Sequence, residues 1–124
     1  MSKDVKKTFD DLLNIMLVQA ETFLNEMGEF FPYGSVLTSD QKIKTVGIYN
    51  DKEEMNAQKG IDILTKNIIE SLEAKEILIG AIGIDVIISE TKSNGLMIKA
   101  SDDGEKWHER TYSYDIIDKK CIWK

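Results

Sequence analysis

The sequence predicts an α+β protein: a five-stranded antiparallel sheet with two helices packed on one face, in the order α-β-β-α-β-β-β. Three observations point there. Segments 5–27 and 52–73 repeat apolar residues at spacings of three and four, the period of a helix face. Segments 30–37, 42–49, 76–89, 96–100 and 107–117 are rich in β-branched and aromatic residues or alternate in polarity. The three strands after the second helix follow one another through short turns, so helices and strands are partly segregated.

The first helix carries Val5, Phe9, Leu12, Leu13, Met16, Ala20, Phe23, Leu24 and Met27 at helical spacing. Gly28 follows and suits a left-handed cap. The stretch Leu12 to Val18 is apolar nearly all round, whereas a surface helix needs only one stripe. Ile15 and Val18 therefore call for a second cover, from another element or another subunit. The hairpin runs from Phe30 to Leu37, turns at Thr38-Ser39-Asp40-Gln41 and returns from Lys42 to Tyr49, with Gly47 weakening the alternation. Pro32, the only proline, has no N–H to donate and belongs at the first residues of its strand.

The second helix opens on Asp51 and Glu54, a cap with an acid three positions on. It aligns Ala57, Ile61, Leu64, Ile68 and Leu72 on one face. Gly60 in its interior costs about 1 kcal/mol relative to Ala, which close packing against a sheet would justify. In the third strand Ile82, Ile84, Val86 and Ile88 share one face, and Ala81, Gly83, Asp85 and Ile87 the other. Ser93-Asn94-Gly95 reads as a tight turn, Leu96 to Ala100 as the fourth strand and Asp102-Asp103-Gly104 as another turn. Trp107 to Ile117 is the fifth strand, and Asp118-Lys119-Lys120 can turn into a short last one, Cys121 to Lys124. With no repeat, low-complexity tract or linker, 124 residues fit one domain.

Composition excludes several function classes. A balance of 16 basic against 22 acidic residues gives a net charge of −6, and the pI is near 4.8. Phosphate contact needs clustered Lys and Arg, so no nucleic acid is expected as a partner. One cysteine, Cys121, rules out an internal disulfide and fits a reducing compartment. With one histidine beside it, a structural zinc site lacks its ligands. The charged N-terminal residues lead straight into an amphipathic segment, so no secretory signal is expected. The apolar run Ile77 to Ile88 is shorter than the about 20 residues of a membrane span. The expectation is a cytoplasmic protein with no membrane contact and no cofactor.

Candidate chemistry is sparse. His108 and Cys121 form a nominal base and nucleophile, against the plainer reading of a solvent-facing histidine and a small buried thiol. Gly80-Ala81-Ile82-Gly83 lacks the third glycine of a dinucleotide loop and lies inside a strand. Ser101-Asp102-Asp103-Gly104-Glu105 is nearest to a calcium loop and reads better as a turn. Asp85, in the middle of an isoleucine-rich strand, is costly if buried alone. It is either an interface acid or an acid paired to Lys99, Arg110 or solvent. His108, Arg110, Tyr112 and Tyr114 share one face of the last long strand. Tyr and Arg are enriched at interface hot spots, so these four join Asp85 as candidate partner-binding residues. The plainer reading packs the rings beneath the helices.

The element order over residues 5–117 resembles the roadblock domain, and more loosely profilin-like and longin-like sheets. It departs at Cys121-Ile122-Trp123-Lys124, where roadblock domains carry a further helix. The phrase Glu29-Phe30-Phe31-Pro32-Tyr33-Gly34 is similar to one in small bacterial proteins, which implies a bacterial origin. The roadblock resemblance implies that the first strand pair docks beside the fifth strand and leaves the third at an edge. An apolar edge strand without lysine or proline invites pairing with another chain. Ile82, Ile84, Val86 and Ile88 are therefore the candidate dimer edge. The resulting expectation is a non-catalytic protein-interaction or regulatory module, a homodimer through sheet-edge pairing that also binds another, unidentified protein. The alternative is an acidic immunity or inhibitor protein that neutralises a basic toxin.

Overall fold

The computed structural model describes residues 3–28, 31–46, 57–88, 90 and 92–124. The chain runs α1 (Lys3–Met27), β1 (Tyr33–Thr38), β2 (Ile43–Val46), α2 (Ala57–Glu73), β3 (Ile77–Ile88), β4 (Ser93–Ser101), β5 (His108–Ile117) and β6 (Lys120–Trp123). The strands form one antiparallel sheet in the order β2-β1-β3-β4-β5-β6. The α+β class holds, but among the described residues the sheet has six strands, because Asp118 and Lys119 turn the chain back so that Ile117 pairs with Lys120.

Helix ends follow their local chemistry. Gly28 takes a φ of 75°, and its N–H donates to the Leu24 carbonyl at 2.9 Å, closing α1 as a left-handed cap. Lys75 plays that part for α2 with a φ of 61°. Its N–H donates to Leu72 at 3.1 Å and that of Glu76 to Ser71 at 3.0 Å. The cap expected at Asp51 and Glu54 and the strand ends at Phe30 and at Gly47 to Tyr49 lie outside the described residues. Pro32 immediately precedes β1, where its missing N–H breaks no ladder. The turn expected at Ser93-Asn94-Gly95 is strand instead: these residues pair with Ile88, Ile87 and Val86.

The largest correction concerns the layers. The register puts Tyr33, Ser35, Leu37, Ile79, Ala81, Leu96, Ile98 and Tyr114 on one face, with Phe9, Leu12, Leu13, Met16, Ala20 and Leu24 of α1 packed against them. Val36, Ile82 and Ile84 lie on the other face, beneath Leu64 and Ile68 of α2. The helices therefore cover opposite faces, not one. β3 is apolar on both sides of its pleat, and each side needs its own cover. Close approach by α2 is set by glycine: a Cβ at Gly80 would lie 2.4 Å from Ile68 Cγ2. α1 touches β1, β3 and β6, so the sheet curls around it. α2 touches β1 and β3.

The second correction concerns β3. Residues Ile77 to Gly83 pair with β1 on one side, and Gly80 to Ile88 pair with β4 on the other. The strand expected at an edge is central over its first half. Its apolar run is that of a strand buried on both faces, which periodicity alone does not distinguish from an uncovered edge.

Candidate interaction surface

β1 is shorter than β3. It starts at Tyr33, opposite Gly83, and Pro32 before it has no N–H to extend the ladder. Among the described strands, Val86 to Ile88 pair with β4 alone. Ile82 of the expected dimer edge is thus enclosed between Gly34 and Lys99. Ile84, Val86 and Ile88 keep one strand neighbour each, Met97, Gly95 and Ser93. Ile87, on the opposite face, is 73% exposed. It is the residue that sequence reasoning passed over, although its place beside Asp85 on the α1 face was readable from the alternation.

Asp85 is exposed and accepts a hydrogen bond from the Tyr114 hydroxyl at 2.9 Å. Lys99 is not its partner, because Lys99 lies on the other face, with Nζ 5.6 Å from the centre of the Trp107 ring. Burial, and then the bond to the Asp85 carboxylate, push the Tyr114 hydroxyl well above its ordinary pKa. The bond therefore stays in its neutral-donor form at physiological pH.

His108, Arg110, Tyr112 and Tyr114 do share a face, the one that α1 covers. The structure does not gather them into one exposed group. Tyr114 is only 2% exposed and meets Trp123 edge-on at 5.9 Å. Tyr112 is half-buried against the same core. His108 is exposed and meets the ring of Phe9 edge-on at 6.3 Å, while Arg110 is exposed. Tyr112 and Tyr114 thus follow the plainer reading, rings beneath a helix.

The other motifs resolve into local structure. Cys121 pairs with Ile116, eight residues along β5 from His108 and so about 27 Å away, which separates the nominal base from the thiol. Burial, reinforced by the charge of Glu21, raises the Cys121 pKa, the opposite of what activates a nucleophile. Ser101 Oγ accepts from the Gly104 N–H at 2.8 Å, and Asp103 Oδ1 accepts from the N–H groups of Glu105 and Lys106, each at 2.8 Å. Those backbone bonds hold the Asp103 carboxyl below its ordinary pKa and tie the segment into a turn. Gly80 and Gly83 sit within β3, not before a helix.

An open hollow of about 370 Å³ on α2, lined by Asp62, Thr65, Lys66, Ile69 and Glu70, lies on the solvent side of that helix. Among the described residues no group of three or more His, Cys, Asp or Glu is placed to hold a metal ion. Among the described residues no helix is long and apolar enough to cross a membrane. The roadblock resemblance fails at the sheet order, since β1 docks on β3 and not on the fifth strand. No family model, no curated protein and no solved structure matches the chain.

Proposed function

We propose that the protein is a non-catalytic interaction module that takes an extended segment of a partner protein against the open end of β3. The supporting observation is the half-paired stretch Val86-Ile87-Ile88, apolar on both faces and bonded to β4 alone among the described strands. Backbone groups that no second described strand takes up, beside apolar side chains, suit strand addition: main-chain bonds supply affinity, and alternate side chains supply specificity. Asp85 borders this stretch, and its bond to Tyr114 fixes the carboxylate at the mouth of the site.

Affinity capture from the native host tests this. Wild-type protein and Val18→Lys, which adds the same charge at a position 61% exposed on α1, should retain the same partner. Ile87→Lys should lose it, because an edge lysine opposes strand addition. Equal capture by all three proteins rejects the site.

A second reading keeps the net charge of −6 in view. An acidic protein of this size suits neutralisation of a basic partner, as in an immunity or inhibitor protein. Association would then slow steeply as salt rises. A captured partner that is acidic, with an association rate indifferent to salt, excludes it.

A further inference from the structure

We propose that Asn94-Gly95 is a latent self-modification site, held closed by the pairing of β4 and fired when that strand opens. Asn94 alone among the six asparagines precedes a glycine. Glycine has no side chain to shield its amide nitrogen, so Asn-Gly is the dipeptide that closes most readily to a succinimide. The Gly95 nitrogen attacks Asn94 Cγ. The new N–C bond forms as the Cγ–Nδ2 bond breaks, and the Gly95 amide proton departs with the side-chain amide as ammonia. Water then opens the ring. Attack at one carbonyl leaves aspartate at position 94, and attack at the other leaves isoaspartate, with the backbone running through the former side chain.

The fold opposes the first step. Asn94 has Ile87 of β3 on one side and Tyr114 of β5 on the other, and Gly95 has Val86 and Ser113. A strand side chain stands off the sheet, whereas a backbone N–H lies in its plane and bonds to a neighbouring strand. The Asn94 side chain is therefore held out on the α1 face, while the Gly95 nitrogen is held within the sheet. Ring closure needs the peptide between them to rotate, which breaks its ladder bonds. Packing adds to the restraint. Gly95 is buried, and Ile88 and Thr111 stand 3.1 and 3.3 Å from the place of a Cβ. Asn94 itself is exposed. Its protection comes from strand pairing and not from burial of the amide.

The mark is one-way. Isoaspartate inserts an extra methylene into the backbone at the second residue of β4. The alternation that puts Leu96 and Ile98 on the α1 face and Met97 on the other then no longer matches β3 and β5. A molecule that opened and cyclised cannot restore the ladder, whereas one that opened and reclosed is unchanged. The site thus records opening of a strand in the interior of the sheet.

The tryptic peptide Ser93–Lys99, released by cleavage after Lys92 and Lys99, holds Asn94 as its one side-chain amide. Its mass gain, from exchange of NH2 for OH, should appear in urea above the unfolding transition. In the same mildly alkaline buffer without urea it should appear at least about a hundredfold more slowly, because the reaction follows the population of the open form. Isomerisation at Asp103-Gly104 changes no mass and does not disturb this readout. Asn94→Ser should abolish the reaction. Asn94→Asp, which makes the aspartate product directly, should keep the wild-type urea midpoint. The isoaspartate protein, purified after ageing in urea, should unfold at lower urea than Asn94→Asp. A folded rate within a few-fold of the unfolded one overturns the proposal, as does another asparagine peptide reacting first in urea. Equal midpoints for the isoaspartate protein and Asn94→Asp would overturn the one-way mark.

Discussion

Tyr33 connects three parts of the molecule through one side chain. Its hydroxyl donates to the Met16 carbonyl of α1 at 2.6 Å. Its ring meets Phe23 edge-on at 5.5 Å and fills the space that a Cβ at Gly83 would need, 2.4 Å from Cε1. Burial raises the hydroxyl pKa far above its ordinary value of 10.0. An unfolded tyrosine releases its proton near pH 10 and the folded one later, so this group's contribution to stability is complete below pH 10 and is lost as pH rises above it. Tyr114, raised in the same direction by burial and Asp85, adds to the effect. The urea midpoint should hold steady up to about pH 9 and fall beyond pH 10, with phenolate absorbance appearing together with unfolding. Tyr33→Phe should make that alkaline fall shallower; an unchanged slope would show that Tyr33 ionises freely in the folded protein. The sequence placed Tyr33 in a strand, but its bond to α1 depends on a crossing that no local pattern encodes.

At the scale of elements, both helices and every long strand were legible, because their periods of 3.6 and 2 are imposed by burial. One error came from turn chemistry. Asn94-Gly95 looks like a hairpin turn, yet Gly95 lies in β4, where Ile88 and Thr111 crowd the place of a Cβ at 3.1 and 3.3 Å. The glycine there serves packing. The turn read at Asp118-Lys119-Lys120 is present between β5 and β6, with φ of 52° and 67° at Asp118 and Lys119, the geometry that usually selects Asn-Gly or Asp-Gly. A lysine in the left-handed region costs roughly 1–2 kcal/mol, part of which glycine's greater freedom when unfolded offsets. Lys119→Gly should therefore stabilise the protein by about 0.5–1 kcal/mol in urea melts. A loss of stability would mean that the lysine side chain makes a contact worth more than the strain.

The whole molecule is a sheet clad on both sides, and the sequence reading missed this by treating segregated helices as neighbours. The signal was present in β3, whose two pleat faces, Ile79 and Ala81 against Ile82 and Ile84, are equally apolar. The two layers make opposite demands on thermodynamics. They share β3, so the chain should unfold in one transition. Their side chains are separated by the sheet, so perturbations in each should be independent. Leu12 of α1 is buried against one face of the sheet and Ile68 of α2 against the other. Leu12→Ala should cost about 2–5 kcal/mol and Ile68→Val about 0.5–1.5 kcal/mol. If the helices lie on opposite faces, the double variant should show the sum to within about 0.5 kcal/mol, as distant sites do. Helices packed side by side on one face would share a cavity and neighbours, and the two changes would couple. A coupling above about 1 kcal/mol, measured by urea unfolding of the wild type, both single variants and the double variant, would refute the two-sided arrangement. Additivity within a single cooperative transition would fix β3 as the element through which both layers are held.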